Sequence, residues 1–256
     1  MKSALHPLVL LFLTLSACST PSGNLEQAPV RISGFPSTVP GISLPNAHAV
    51  GKPEAKLFRG MAPWTKQQLR ELAEKNVSEI LIFRNDDEDG KTVEREINLL
   101  KTEPRIRSVV HVPLPWRDLS DFQKPCEQTI QALKVLRDRE ARGGGALYFH
   151  CTMGEDRTGY LAALYRVIFE GASGAQAFRD EMCRWGYADG GPTKPKHIAD
   201  NVHAGLTKIY LRLVHLHATG RLRADNLNFS VCAEDPANSS PFREALAASA
   251  PAYRCR

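Results

Sequence analysis

The sequence predicts an α/β domain with a central, mostly parallel sheet flanked by helices. Three observations carry that expectation. Short apolar runs alternate along the chain with segments of helical period, the pattern of successive βα units. Proline and glycine punctuate the joins, as at Pro104 and at Gly143, Gly144 and Gly145. The 256 residues, 43% of them hydrophobic, suffice for one sizeable core and are short for two full domains.

Taken in order, KLFRGMAPWTKQQLRELAEKNVSEILIFRND reads as a short strand, a turn, a helix and a second strand. Thr65 stands where an N-cap belongs, and Leu69 and Leu72 recur at helical spacing. SEILIFR is an apolar run bounded by polar residues, as a buried strand requires. KTVEREINLLKTEP is an amphipathic helix ended by Pro104, and SVVHVPL is a further strand. A helix from about Glu127 to Arg142 stops at the three glycines, and ALYF then leads into HCTMGEDRTG. Beyond that loop helices dominate: YLAALYRVIFEG, AQAFRDEMCRWGY and KHIADNVHAGLTKIYLRLVHLH. In parallel sheets ligands bind outside the carboxyl ends of the strands, and HCTMGEDRTG lies at such an end.

The loop has the parts of a phosphate cradle. Gly154 permits an unusual backbone conformation, Thr158 and Gly159 open a helix whose N-terminus favours anions, and Arg157 offers a bidentate fork to two phosphate oxygens. A thiol at Cys151, in such a field, is expected to ionise at neutral pH. Thr158 is placed to support the thiolate, and His150 to brace the loop from behind.

His150-Cys151, five residues, then Arg157-Thr158-Gly159 resembles the signature of the cysteine-dependent protein tyrosine phosphatase superfamily, and strand, loop and helix occur in the required order. LFRGMAPW and VSEILIFRND resemble the openings of its atypical dual-specificity, phytase-like and lipid-directed bacterial members, so the similarity covers roughly residues 55 to 210. The resemblance implies a dual-specificity-phosphatase-like fold and hydrolysis of phosphate monoesters through a phosphocysteine on Cys151. Arg157 would bind the transition state, and Cys151, Thr152, Met153, Gly154, Glu155, Asp156 and Arg157 would surround the phosphate. It implies no cofactor and no metal.

The family also needs a general acid upstream of the cysteine, and HVPLPWRDLSDFQKP offers two. Asp118 stands 33 positions before Cys151 and follows Pro115, which resembles the lipid-phosphatase branch. Asp121 stands 30 before it, with Pro125 four residues later, as in the phytase-like branch. Asp118 is preferred and Asp121 is the alternate; a solvated loop carboxylate or helix N-cap is the bland role for either. Bacterial relatives acting on phosphoinositides often show HCxxGKDR, whereas this chain has Glu155 at the lysine position. A carboxylate at the entrance would repel extra phosphates. Arg59, Lys194 and Lys196 read as further cations for a phosphorylated ligand or, each taken singly, as ordinary solvated charges. The leading expectation is an inositol polyphosphate or related small phosphate ester. A phosphotyrosine or dual-specificity protein phosphatase is the rival, and a non-catalytic, lipid-anchored phospho-ligand binder is the reading from another class.

At the N-terminus Lys2, the apolar run LVLLFLTL and the small residues before Cys18 form a secretory signal over residues 1–17. Leu15-Ser-Ala-Cys18 resembles the lipobox of bacterial lipoproteins, which implies a lipid on Cys18 and, with Ser19 following, attachment at the outer membrane facing the periplasm or exterior. Residues 18–50, rich in Pro, Ser and Gly, read as a tether; residues 51–222 as the phosphatase domain; residues 223–256 as a polar tail. With Cys18 and Cys151 set aside, four cysteines remain. An even remainder in an oxidising compartment invites two disulfides; Cys232 with Cys255 is the preferred bridge, since it staples that tail, and buried free thiols are the alternative for Cys126 and Cys183. The net charge of +5 is spread without a basic run or interleaved aromatics, which excludes a nucleic-acid partner of the usual kind.

Three further patterns carry less. Asn85, Asp87, Asp89, Gly90 and Glu96 nearly match a calcium loop, but the preceding segment reads as strand rather than the required helix. His215 and His217 are two apart, a poor metal pair on a helix. Trp185 and Tyr187 read as packing.

Overall fold

The structure, a computed structural model, describes residues 34–86, 91–117, 119–141, 145–188 and 194–255. Five strands form one sheet: β1 (His48–Val50), β2 (Leu57–Gly60), β3 (Val77–Ile82), β4 (Ser108–His111) and β5 (Ala146–His150), in the order β1-β2-β5-β3-β4. Only β1, paired to β2, runs antiparallel; the remaining pairings are parallel. β5 is therefore central, and every residue of it is buried, as a strand covered on both faces requires.

Alternation along β5 assigns its side chains to two layers. Leu147 and Phe149 join Leu57, Leu81 and Phe83 in the larger core, closed by α3 (Gln123–Ala141), α4 (Asp156–Glu170) and α7 (Lys208–Ala218), the last two being the fourth and seventh helices of the chain. Ala146 and Tyr148 join Ile80, Ile82, Leu69, Leu72 and Leu100 on the other face, under α1 (Lys66–Glu74) and α2 (Thr92–Leu100). His150 continues the second register, and this decides which helix it meets.

Thr65 caps α1 as its sequence predicts: its hydroxyl accepts from the Gln68 N–H, and the Gln68 side chain accepts from the Thr65 N–H. α3 starts at Gln123, earlier than the sequence reading, because Pro125 falls in its first turn, where a missing N–H costs nothing. After α4 the predicted helix AQAFRDEMCRWGY is only partly regular. α5 (Gly174–Ala177) passes into a π-turn (Phe178–Met182) and a 3₁₀-turn (Cys183–Trp185). α6 (Lys196–Val202) joins α7 through a second π-turn, and α8 (Ser240–Ser249) lies in the tail.

Both flanks of the region read as the main domain are built into the fold. The end of the stretch read as tether is structured, with Leu44, Asn46 and Ala47 fully buried and β1 on the sheet edge. The tail belongs to the same compact unit as the sheet, Arg31–Arg256. The disulfide expectation is corrected: Cys126 bonds Cys232, and Cys183 bonds Cys255, rather than Cys232 with Cys255. The 3₁₀-turn Phe229–Cys232 packs on α3, which brings Cys232 to the buried Cys126. Tyr253 packs edge-on against Phe178 and Tyr210, and this returns the chain end to Cys183. The tail is thus clamped to α3 and to the 3₁₀-turn Cys183–Trp185 instead of closing on itself. Bridges that close loops of 106 and 72 residues each contribute about 4–5 kcal/mol in the chain-entropy account.

Candidate active site

The loop 151–155 joins the carboxyl end of β5 to the N-terminus of α4, so the sheet delivers Cys151 to the end of a helix. Gly154 has φ +75°, and a Cβ there would stand 2.2 Å from the Gly60 carbonyl carbon; only glycine allows that approach to β2.

Each carbonyl of the loop is held from outside. The Cys151 oxygen accepts from His150 Nδ1 at 2.8 Å, and the Thr152 oxygen from the Ala62 N–H at 3.1 Å. Asn46 Nδ2 donates to the Met153 oxygen at 2.7 Å. Arg59 Nη2 donates to the Gly154 oxygen at 2.8 Å and the Glu155 oxygen at 3.3 Å. The described peptides are all trans, and a trans peptide sets its N–H opposite its C=O. Tying the carbonyls outward therefore turns the N–H groups of Thr152, Met153, Gly154, Glu155 and Asp156 into the loop, a nest for an anion.

Arg157, in the first turn of α4, is buried and fixed: Nη1 donates to the Leu114 carbonyl and to Asn85 Oδ1, both at 3.0 Å, and Nη2 lies 3.4 Å from the Thr152 hydroxyl. Its Nε is buried with no hydrogen-bond partner in the protein, a donor left for a ligand oxygen. Cys151 is 3% exposed. Burial alone pushes its thiol up; Arg157 and the Thr158 hydroxyl and N–H outweigh burial, and the net effect holds the thiol below its ordinary range. The Thr158 hydroxyl is buried and closes no hydrogen bond of good geometry, so it acts on the sulfur through proximity.

Beneath the loop lies a buried polar chain, in which burial holds the His150 imidazole below its ordinary range. His150 Nε2 stands 3.0 Å from Glu96 Oε1, out of line for a hydrogen bond, and Glu96 Oε2 accepts from Arg84 at 2.8 Å. Glu96 reaches His150 from α2 because β5's register turns both toward that layer. Asn85 and Glu96, two residues of the calcium-like pattern, therefore serve the phosphate loop and its arginine; Asp87, Asp89 and Gly90 lie outside the described residues.

The other sequence-predicted residues divide. Arg59 is fully buried and grips the rim of the loop, with Nη1 donating to the Glu181 carbonyl at 2.5 Å; it positions the cradle and is not open to a ligand. Glu155 is not a free carboxylate at an entrance. Lys194 Nζ lies 3.1 Å from Glu155 Oε2, 2.5 Å from Asp156 Oδ1 and 2.6 Å from the Gly186 carbonyl. Burial pushes Glu155 up, and Lys194 offsets that in part. Lys196 is exposed and pairs with Asp200 on its own helix. Asp121 caps α3: its two oxygens accept from the N–H groups of Gln123 and Lys124 at 3.1 and 3.3 Å. Asp118 and Cys18 lie outside the described residues. His217 Nδ1 donates to the Leu222 carbonyl, His215 packs on Phe242, and the buried Tyr187 hydroxyl bonds Thr207 at 2.8 Å.

Sequence reasoning missed Asn46, Asn85 and Glu181. Asn85 stood directly after a predicted strand, which is a usable signal for a residue at the ligand-binding end of a sheet. Asn46 sat in a stretch without period, and Glu181 looked like one more charge on a helix.

A thiol held below its ordinary range over an N–H nest, an adjacent buried arginine and a parallel sheet beneath are the parts of a site built for nucleophilic attack on a bound phosphate group. Residues 55–172 match the family model Tc-R-P, described as "Polymorphic toxin system, DSP-PTPase phosphatase". That match, which spans under half of the chain, is a similarity of this segment to the dual-specificity phosphatases. The dual specificity protein phosphatase TpbA of Pseudomonas aeruginosa (strain UCBPP-PA14) is 40% identical over 60 residues, 23% of this chain and 27% of the length of that relative. Among solved structures, P. aeruginosa TpbA aligns at 20% identity and a TM-score of 0.43, covering 65% of this chain and 95% of that one. The core catalytic domain of the PP-IP phosphatase SIW14 from S. cerevisiae, solved with citrate, aligns at 18% identity and a TM-score of 0.42, covering 67% of this chain and 87% of that one.

Proposed function

We propose that the protein hydrolyses phosphate monoesters of small, highly phosphorylated molecules of the inositol polyphosphate type. The observation that carries the chemistry is the depressed thiol of Cys151 inside an N–H nest beside Arg157. The thiolate attacks phosphorus, the ester P–O bond breaks, and the leaving oxygen takes its electron pair and a proton from an aspartic acid. Water then attacks phosphorus, the S–P bond breaks back to thiolate, and the aspartate takes the proton of the water. Arg157 and the inward N–H groups hold the charge of the transferring group throughout.

Asp118 is the proposed acid. Both oxygens of Asp121 are committed to capping α3, which leaves it poorly placed to donate a proton. For the substrate, the pinning of Glu155 by Lys194 removes the repulsion that a free carboxylate would exert on a polyanion. The name of the curated relative favours a second reading, a dual specificity protein phosphatase.

A phosphate-release screen over inositol polyphosphates, phosphoinositide vesicles and phosphotyrosyl peptides separates these. The highest kcat/KM is expected on an inositol polyphosphate; a phosphotyrosyl peptide in first place transfers the proposal to the rival, and binding without release on every substrate supports the non-catalytic reading. In the same assay Asp118→Asn should flatten the alkaline limb of the pH-rate profile, since the acid works only when protonated. Asp121→Asn should keep that limb; the reverse outcome reassigns the acid.

We further propose that the chain is exported and held at the bacterial outer membrane by lipid on Cys18. The two disulfides among the described residues suit an oxidising compartment. Cys18→Ser is expected to move the protein from the membrane to the soluble fraction on fractionation; unchanged membrane association would count against lipidation.

A further inference from the structure

The Met153–Gly154 peptide is the weak link of the cradle. Gly154 occupies a left-handed conformation that glycine leaves at little cost, so the backbone itself does little to keep this peptide from rotating and withdrawing the Gly154 N–H. What opposes rotation is a side chain more than a hundred residues away. Asn46 Nδ2 donates to the Met153 oxygen at 2.7 Å, and Asn46 is fully buried.

Its amide cannot turn round. Asn46 Oδ1 accepts from the Phe35 N–H at 2.9 Å, while the Asn46 N–H donates to the Phe35 carbonyl at 2.7 Å, and this two-way pairing leaves Nδ2 to face the loop. Asn46 itself has φ +60°, a left-handed conformation that asparagine tolerates better than most residues. The segment carrying it is anchored further on. Phe35 meets Trp185 edge-on, Trp185 stacks on His48 with centroids 3.8 Å apart, and His48 Nε2 lies 3.4 Å from Glu181. Glu181 receives Arg59, which holds the next carbonyl of the loop.

We infer that Asn46 is a positioning residue for phosphate transfer, and that the segment 34–50 locks the Met153–Gly154 peptide with its N–H turned toward the transferring phosphate. This rests on the phosphatase reading of the loop. Asn46 touches no reacting atom; it acts through the Gly154 N–H.

Two variants divide the contributions. Asn46→Gly keeps the left-handed backbone and removes the whole amide. Asn46→Asp keeps an acceptor for Phe35 and replaces the donor by an oxygen facing the Met153 carbonyl. Deleting one transition-state donor outright costs about 10²–10³ in kcat, so loosening one is expected to lower kcat/KM on an aryl phosphate by about 10- to 100-fold in both variants. The inhibition constant for orthovanadate should rise in parallel, and alkylation of Cys151 should need a higher pH, which a loss of stability alone would not produce. Folded variants with wild-type values for all three overturn the inference. A second measurement needs no variant: binding to the cradle and order in the segment are linked, so orthovanadate on the wild type should slow backbone hydrogen exchange in residues 34–50. Exchange there that ignores orthovanadate also overturns it. A wild-type chain that neither turns over an aryl phosphate nor binds orthovanadate instead refutes the phosphatase reading itself.

Discussion

Cys151→Ser is expected to lose about 10⁴-fold or more of the wild-type kcat, the scale on which removal of a nucleophile acts, while the protein remains folded. The loss follows from the site's electrostatics. Arg157 and Thr158 together overcome the burial that would otherwise keep the group at position 151 protonated, and they hold a thiol below its ordinary range. A serine hydroxyl starts so much higher that the same surroundings leave it neutral and weakly nucleophilic. Oxygen fits where sulfur sat, and the nest and its outer ties are untouched, so inorganic phosphate should still bind and Tm should stay near wild type, while orthovanadate, which takes a fifth bond from the nucleophile, should bind more weakly. Activity surviving the exchange would remove Cys151 from the mechanism. For the wild type, the lowered thiol pKa carries a sign: inactivation by an alkylating reagent should persist below the pH at which an ordinary thiol stops reacting.

Arg157→Lys is expected to cost about 10²–10³-fold in kcat with a smaller rise in KM. The wild-type guanidinium is held by the Leu114 carbonyl and Asn85 with its Nε left unpaired. Lysine supplies the charge without the fork, and three rotatable donors on a flexible stem cannot satisfy Leu114, Asn85 and two equatorial oxygens at once. Charge therefore steers substrate in much as before, and the transition state loses its fixed partner. Equal loss in Arg157→Lys and Arg157→Met would show that geometry counts for everything; a near-wild-type Arg157→Lys would show that charge alone suffices and would contradict the reading.

The βα alternation up to β5, the capping of α1 by Thr65 and the placement of HCTMGEDRTG between strand and helix were legible because local rules decide them: period, cap chemistry and a short contiguous signature. The supports of that loop were not, because they arrive from elements distant in sequence and their roles depend on register. Glu96 meets His150 only because β5 places that histidine on the face of α2. Arg59 stands on β2 beside β5, and its rank as a cation for substrate gave way once the sheet buried it behind the carbonyls it holds. Glu155 looked like an entrance charge until Lys194 came back to it from beyond α4. The disulfide expectation failed for the same reason: pairing the two cysteines nearest the chain end ignored that Tyr253 packs into the aromatic cluster of α7 and the π-turn. Asn46 had no signal in a proline-flanked stretch; its role exists only where the loop carbonyl meets it.

In the proposed mechanism phosphate passes through the sulfur of Cys151, and acid-quenching the enzyme during turnover of an aryl phosphate would catch it there. Peptide mass spectrometry of the quenched wild type is expected to find one phosphoryl group on the peptide containing Cys151, increased in Asp118→Asn with a substrate whose leaving group needs no acid. Steady turnover with that peptide unmodified at every quench time, or with phosphate on another residue, would contradict the account.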